Sequence, residues 1–147
     1  MSLTLDKIQM IKASCLSFSI VNQGIAETEI KGFSFDYTTQ TKADTNNKLI
    51  FIQLKIEIAA NVSEEQKKVN AGNFEFGFTY RVENLEELIQ VNDEQKSLDK
   101  ILHMSLLGIA FSTARGIILT KAANTIINEA YLPIVNPATL MGQNNEI

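Results

Sequence analysis

One cysteine, one histidine, two prolines and no tryptophan are what this chain has least of. A lone thiol, Cys15, closes no internal disulfide, and with His103 as its only partner it makes too small a set for zinc, so neither staple is expected. Seven glycines and two prolines are too few for a fibrous or disordered chain. Thirteen basic residues against seventeen acidic ones leave a net charge of −4 and a pI near 5.0. That balance excludes the clustered Lys and Arg that neutralise nucleic-acid phosphates. What is present is apolar: 147 residues, 45% of them hydrophobic. A single domain over residues 1–147 is expected, with a core burying roughly 70% of the unfolded surface.

The opening Met1-Ser2-Leu3-Thr4-Leu5-Asp6-Lys7 has no basic region followed by an apolar run, so no secretory leader is expected there. The most apolar stretch, 101–123, holds His103, Arg115 and Lys121, with eleven uncharged residues between the first two. A bilayer span needs roughly 20. The stretch reads as a buried helix, with no membrane insertion, and the chain as cytoplasmic, in keeping with its single thiol. Asn61-Val62-Ser63 fits a glycosylation sequon that such a compartment leaves unused.

Period-two alternation dominates the first half. Ile50, Ile52, Leu54, Ile56, Ile58 and Ala60 alternate with Gln53, Lys55 and Glu57, the pattern of a half-buried strand. Phe33, Phe35 and Tyr37 alternate with Ser34, Asp36 and Thr38, and Phe74, Phe76, Phe78, Tyr80 and Val82 with Asn73, Glu75, Gly77, Thr79 and Arg81. A fourth segment, about 8–21, alternates less cleanly. The joints Asn22-Gln23-Gly24, Asp44-Thr45-Asn46-Asn47 and Asn61-Val62-Ser63-Glu64-Glu65 are short and polar, which predicts an antiparallel meander. No helical pattern separates the strands, so parallel βαβ units are excluded.

After a possible short turn at Leu85-Glu86-Glu87-Leu88 and a polar stretch at 92–96, the spacing predicts one helix over about 97–128. Leu102, Leu106, Ile109, Ile117 and Ile127 fall on one flank, and Met104, Leu107, Phe111 and Ile118 on another. Between them runs a stripe of small residues, Gly108, Ser112 and Gly116, with Leu119 beside it. A helix apolar nearly all round must be covered on more than one side. The sheet covers one side, and close approach along the small stripe predicts a second subunit on the other. A C-terminal tail folded back over the helix is the alternative cover.

Sites for catalysis are missing. The chain has no phosphate-cradling Gly-rich loop and no Gly-x-Ser-x-Gly elbow, and Ser112 and His103 are nine residues apart on one helix. Cys15 reads as a packed thiol, and His103, on a strip with Lys121 and Asn128, as a partly exposed histidine. Glu64-Glu65 and Glu83, Glu86 and Glu87 read as solvated charge. Arg115, set among apolar neighbours, pairs at a subunit boundary or reaches water. No enzyme activity, cofactor or metal is expected. Aromatic surface remains, and residues near element ends, Phe33, Phe51, Phe74 and Tyr131, are the candidates for contacting an apolar polypeptide client.

Ile109-Ala110-Phe111-Ser112-Thr113-Ala114-Arg115 resembles the Ile-Leu-Phe-Pro-Tyr-Ala-Arg segment of the SecB protein-export chaperones. The match runs ungapped to Leu132-Pro133-Ile134-Val135-Asn136-Pro137-Ala138-Thr139-Leu140-Met141. Leu5-Asp6-Lys7-Ile8-Gln9, Leu16-Ser17-Phe18 and Gly72-Asn73-Phe74 are similar to ends of that family's strands. The resemblance implies an α+β fold: a four-stranded antiparallel sheet, one long helix, an extended crossing and a short C-terminal helix. It also implies a homotetramer built as a dimer of dimers, and an ATP-independent holdase for unfolded clients in protein export. Acidic residues that contact the export motor SecA in that family correspond here to Cys15, Ser19 and Lys68, which points away from the motor and toward a specialised client such as an antitoxin. The family's glycine after the helix is replaced by Asn124-Thr125-Ile126-Ile127, which predicts a longer helix. The rival is a helix-grip carrier of a lipid-like small molecule. The continuation through Tyr131 and Pro137 past the helix favours the chaperone.

Overall fold

The computed structural model describes residues 5–21, 24–62, 67–141 and 144–147. The expected turn residues Asn22, Gln23, Ser63, Glu64 and Glu65 lie in part outside them, as do Met1 to Thr4. The strands are β1 (Ile8–Ile20), β2 (Ile30–Asp44), β3 (Leu49–Val62), β4 (Lys67–Val82), β5 (Ile89–Asn92) and β6 (Gln95–Leu98). A helix, α1 (Lys100–Ala122), and a last short strand, β7 (Asn144–Glu146), follow.

Side chains alternate across a strand, so the period-two segments become two-faced. The isoleucines and Leu54 of β3 and the rings Phe74, Phe76, Phe78 and Tyr80 of β4 are buried on one face, while Phe51, Lys55 and Glu57 face outward. These two most regular strands are the interior ones, in the order β1-β4-β3-β2, all antiparallel. The simple meander expected from Asn22-Gln23-Gly24 is corrected: β1 pairs with β4, not β2. β1 and β2 therefore stand at opposite edges of the four antiparallel strands, about 14 Å apart at the usual strand spacing, and a 3-10 turn at Glu27–Glu29 leads into β2. β7 adds a short parallel strand beside Gln40, Thr41 and Lys42 of β2.

The helix starts at Asp99, whose side chain accepts a hydrogen bond from the Leu102 N–H at 3.0 Å. It is shorter at both ends than its apolar pattern predicts. Ser97 and Leu98 belong to β6, and at the other end Ala123 already takes extended angles (φ −55°, ψ 131°), so the helix stops at Ala122. Asn124, left-handed at φ 64°, completes a turn in which the Thr125 N–H donates to the Ala122 carbonyl at 3.0 Å and Thr125 Oγ1 donates to the same carbonyl at 2.6 Å. Residues 92–96, read from sequence as a polar stretch, form the tip of the β5–β6 hairpin, with Asp93 and Glu94 both at positive φ.

Leu102, Leu106, Ala110, Ala114 and Ile118 of α1 are buried against the sheet. Tyr80 donates its hydroxyl to the Leu106 carbonyl at 3.1 Å, and burial pushes that hydroxyl's pKa well up. Phe74, Phe76 and Phe78 stack along β4 with centroids 6.2 Å apart. These side chains fill the space between sheet and helix.

His103 is buried, 2% exposed, and its Nε2 lies 2.9 Å from Thr41 Oγ1 on β2. This corrects the partly exposed histidine read from its polar strip: the ring faces the buried Thr41 of β2. Burial lowers its pKa below the ordinary 6.5. The unfolded chain therefore binds more protons than the folded one below pH 6.5, and stability falls from there down to the depressed folded pKa. The urea midpoint is expected to drop between pH 7 and pH 5. His103→Gln, which does not titrate and can still bond Thr41, removes part of that drop; an identical pH dependence in the variant contradicts the assignment.

Candidate polypeptide-binding surface

Beyond Asn124 the chain reverses across the end of the sheet. Ile127 is fully buried there, and a Cβ at Gly72 would sit 3.1 Å from its Cδ1, so the glycine permits that close approach. Ala130 and Leu132 are buried next, while Tyr131 and Ile134 stand 65% and 93% exposed. Arg115 holds this crossing: its Nη2 donates to the Pro133 carbonyl at 3.0 Å, and its guanidinium lies 5.3 Å from the centroid of the Phe111 ring. Tyr37 meets the same ring edge-on at 5.3 Å, and burial raises its hydroxyl pKa, with the Arg115 charge opposing. Half-buried Arg115 thus has a contact within the chain that the sequence did not reveal. The crossing ends in a 3-10 turn, Pro137–Leu140, capped by Asn136 Oδ1 on the Ala138 N–H, and Thr39 Oγ1 donates to the Leu140 carbonyl.

At the start of β2, Ile30, Phe33 and Ile126 form the apolar floor of a depression of about 380 Å³, with Glu27, Lys31 and Glu129 on its rim. Phe33 is half-buried there, and Tyr131 follows two residues after Glu129. The four aromatic candidates are thus not one cluster. Phe33 and Tyr131 belong to this end of the molecule. Phe51 lies on the opposite, outward face of the sheet. Phe74 is buried in the core, stacked on Phe18 at 6.0 Å, because β4 is an interior strand, and it is withdrawn as a client contact. Ile126 escaped sequence reading, since an apolar residue after a helix looks like more helix, and Ile134 did so because an extended crossing has no periodicity to say which of its side chains are exposed.

The small stripe divides. Pro137 packs on Gly108, 3.4 Å from the position of a Cβ there, so the tail covers this end of the stripe. Ser112, Gly116 and Leu119 remain exposed, with Ile101 and Ile109 beside them, and nothing lies within 4 Å of a Cβ built on Gly116.

No protein-family model and no curated protein matches the sequence. Among solved structures, the SecB-like chaperone Rv1957 of Mycobacterium tuberculosis superposes with a TM-score of 0.59 at 11% identity, over 89% of this chain and 93% of that one. It was solved in complex with a ChAD peptide from the antitoxin HigA1 (Rv1956). This chain has the SecB-like fold. A protein of unknown function from Streptococcus agalactiae covers 80% of this chain and 92% of its own at 13% identity, with a TM-score of 0.27, too low to equate the two folds. In the SecB-like frame the antiparallel sheet, the helix and the Pro-containing crossing stand in the order expected from residues 109–141.

Proposed function

We propose that the protein is an ATP-independent chaperone that holds unfolded or extended polypeptide and works as a homo-oligomer in the cytoplasm. The observation that carries this reading is the apolar surface left open by the SecB-like fold. It comprises the Ile30–Phe33–Ile126 depression and the exposed Tyr131 and Ile134. Each client side chain of Leu or Phe size buried there contributes about 1.5–3 kcal/mol, so several weak contacts hold a client without reading its sequence closely.

The helix face at Ser112, Gly116 and Leu119 is assigned to contact between subunits, and a dimer of dimers follows from the resemblance. Cys15, Ser19 and Lys68 carry no carboxylate where the family's motor contacts lie, so a dedicated client such as an antitoxin is favoured over SecA-linked export. The filled space between sheet and helix argues against a lipid-like ligand. Catalysis is not part of the proposal. Cys15 on β1 and His103 at β2 belong to opposite edges of four strands, about 14 Å apart.

At near-stoichiometric amounts and without nucleotide, the protein is expected to suppress light scattering from a refolding, aggregation-prone substrate. Phe33→Asp weakens the suppression. Undiminished scattering across several substrates overturns the reading.

A further inference from the structure

β2 is 15 residues long, and β3 pairs along its whole inner side. On the outer side, among the described residues, only Gln40, Thr41 and Lys42 have a strand beside them, the three-residue β7. Residues 30–38 therefore present an open edge about 30 Å long. That edge begins in the depression floored by Ile30 and Phe33. Phe33, Phe35, Tyr37, Thr39 and Thr41 share the inward face of β2, each opposite a buried residue of β3. Thr39 and Thr41, next to the tail, are 5% and 0% exposed, whereas the three rings beside the open edge are only half-buried. The tail thus covers one end of a surface whose other end is the client depression.

β7 is a weak occupant of that edge. Its sequence is Asn-Asn-Glu, residue types depleted from strands, and parallel pairing is slightly less stable per residue than antiparallel. Contacts before and after it hold the tail instead. Pro137 packs on Gly108, Thr39 Oγ1 donates to the Leu140 carbonyl, and Ile147 packs against the core. A strand with so few ladder bonds belongs to the part of a fold that opens most readily.

We propose that β7 is a displaceable stand-in for client, an autoinhibitory strand seated on the edge that an extended client uses. The proposal rests on the chaperone reading and adds regulation to the same surface. A client segment of alternating apolar pattern pairs along β2 from the depression, and every second side chain falls beside Phe33, Phe35 and Tyr37. Main-chain bonds to the edge hold it without reading its sequence. A segment that runs on past Tyr37 reaches Thr39 and must unseat β7. The seated tail therefore lowers the apparent affinity for long clients by the fraction of time the edge is occupied.

Fluorescence titration with a labelled client, unfolded permanently by reduction and carboxymethylation, tests this on three forms of the protein. Relative to the unaltered chain, deletion of residues 144–147 is expected to tighten binding at least threefold. Gln40→Cys with Asn144→Cys, at positions that face each other in the strand pairing, ties the tail to β2 when made with Cys15→Ser. The oxidised form of that variant is expected to bind at least threefold more weakly than its reduced form. In the unaltered protein, client binding is expected to remove hydrogen-exchange protection at residues 144–146 and add it at 30–38. Equal affinity of the shortened and tied forms overturns the proposal and leaves the chaperone reading in place. Protection that persists at 144–146 under saturating client does the same. A native mass that rises on deletion of 144–147 makes a second copy the occupant of the edge, which also overturns it. No binding by any form defeats the chaperone reading and this proposal with it.

Discussion

Gly116→Leu is expected to lower the native mass of the protein while leaving each subunit folded. The two effects separate because, among the described residues, nothing beyond the helix's own adjoining backbone lies within 4 Å of a Cβ at that position. Within one subunit the change is favourable: glycine costs roughly 1 kcal/mol against alanine in a helix interior, and leucine is among the better helix formers. Between subunits it is unfavourable, because a branched side chain on the open part of the small stripe holds a second backbone away. Native mass spectrometry with far-ultraviolet circular dichroism reads both quantities. A variant of unchanged mass places the subunit contact elsewhere than on Ser112, Gly116 and Leu119. The same substitution at Gly108 tests a different contact, since Pro137 already fills that space.

Phe76→Ala is expected to cost about 3–5 kcal/mol, the usual range for removing a fully buried ring. The ring is 0% exposed, stacked between Phe74 and Phe78 on β4 and paired across the sheet with Leu54 and Cys15. Paired strands on both sides, β3 and β1, leave little freedom for the cavity to collapse. For a chain of this size each kcal/mol corresponds to about 2–4 °C, so the melting temperature falls by roughly 10 °C or more. A loss below about 1.5 kcal/mol in urea unfolding would mean that this face of β4 is not the packed core.

The strands that were plain in the sequence are the ones whose pairing is regular over their central stretches. β3 and β4 keep one alternation through residues 50–58 and 74–82, so their apolar side chains there, Phe51 excepted, fall on the same face. β1 alternates poorly because its pairing shifts register between Met10 and Lys12 and again between Cys15 and Ser17. Each shift carries one extra residue, and Leu16 lands on the outward face while Phe18 lands on the inner one. The β5–β6 hairpin left no apolar signal, since Gln90, Val91, Asn92, Gln95, Lys96 and Ser97 are all exposed. The sequence predicts too long a helix because Ile126 and Ile127 extend the apolar period, while the helix ends in a turn at Ala123 and Asn124 that carries no apolar signal.

The site was less legible than the fold. His103 faces Thr41, a partner 62 positions away that no local pattern reveals. Phe33, Phe51 and Phe74 look alike as alternating aromatics, yet strand order alone sends the first to an edge groove, the second outward and the third into the core.

The central claim is that the protein holds unfolded polypeptide without nucleotide. Fluorescence titration with a labelled protein that is permanently unfolded by reduction and carboxymethylation, beside its folded form, tests that claim most directly. Saturable binding of the unfolded form alone is expected, unchanged by ATP and weakened roughly tenfold by Phe33→Asp through the lost apolar burial. Equal binding of folded and unfolded forms, or none of either, contradicts the account.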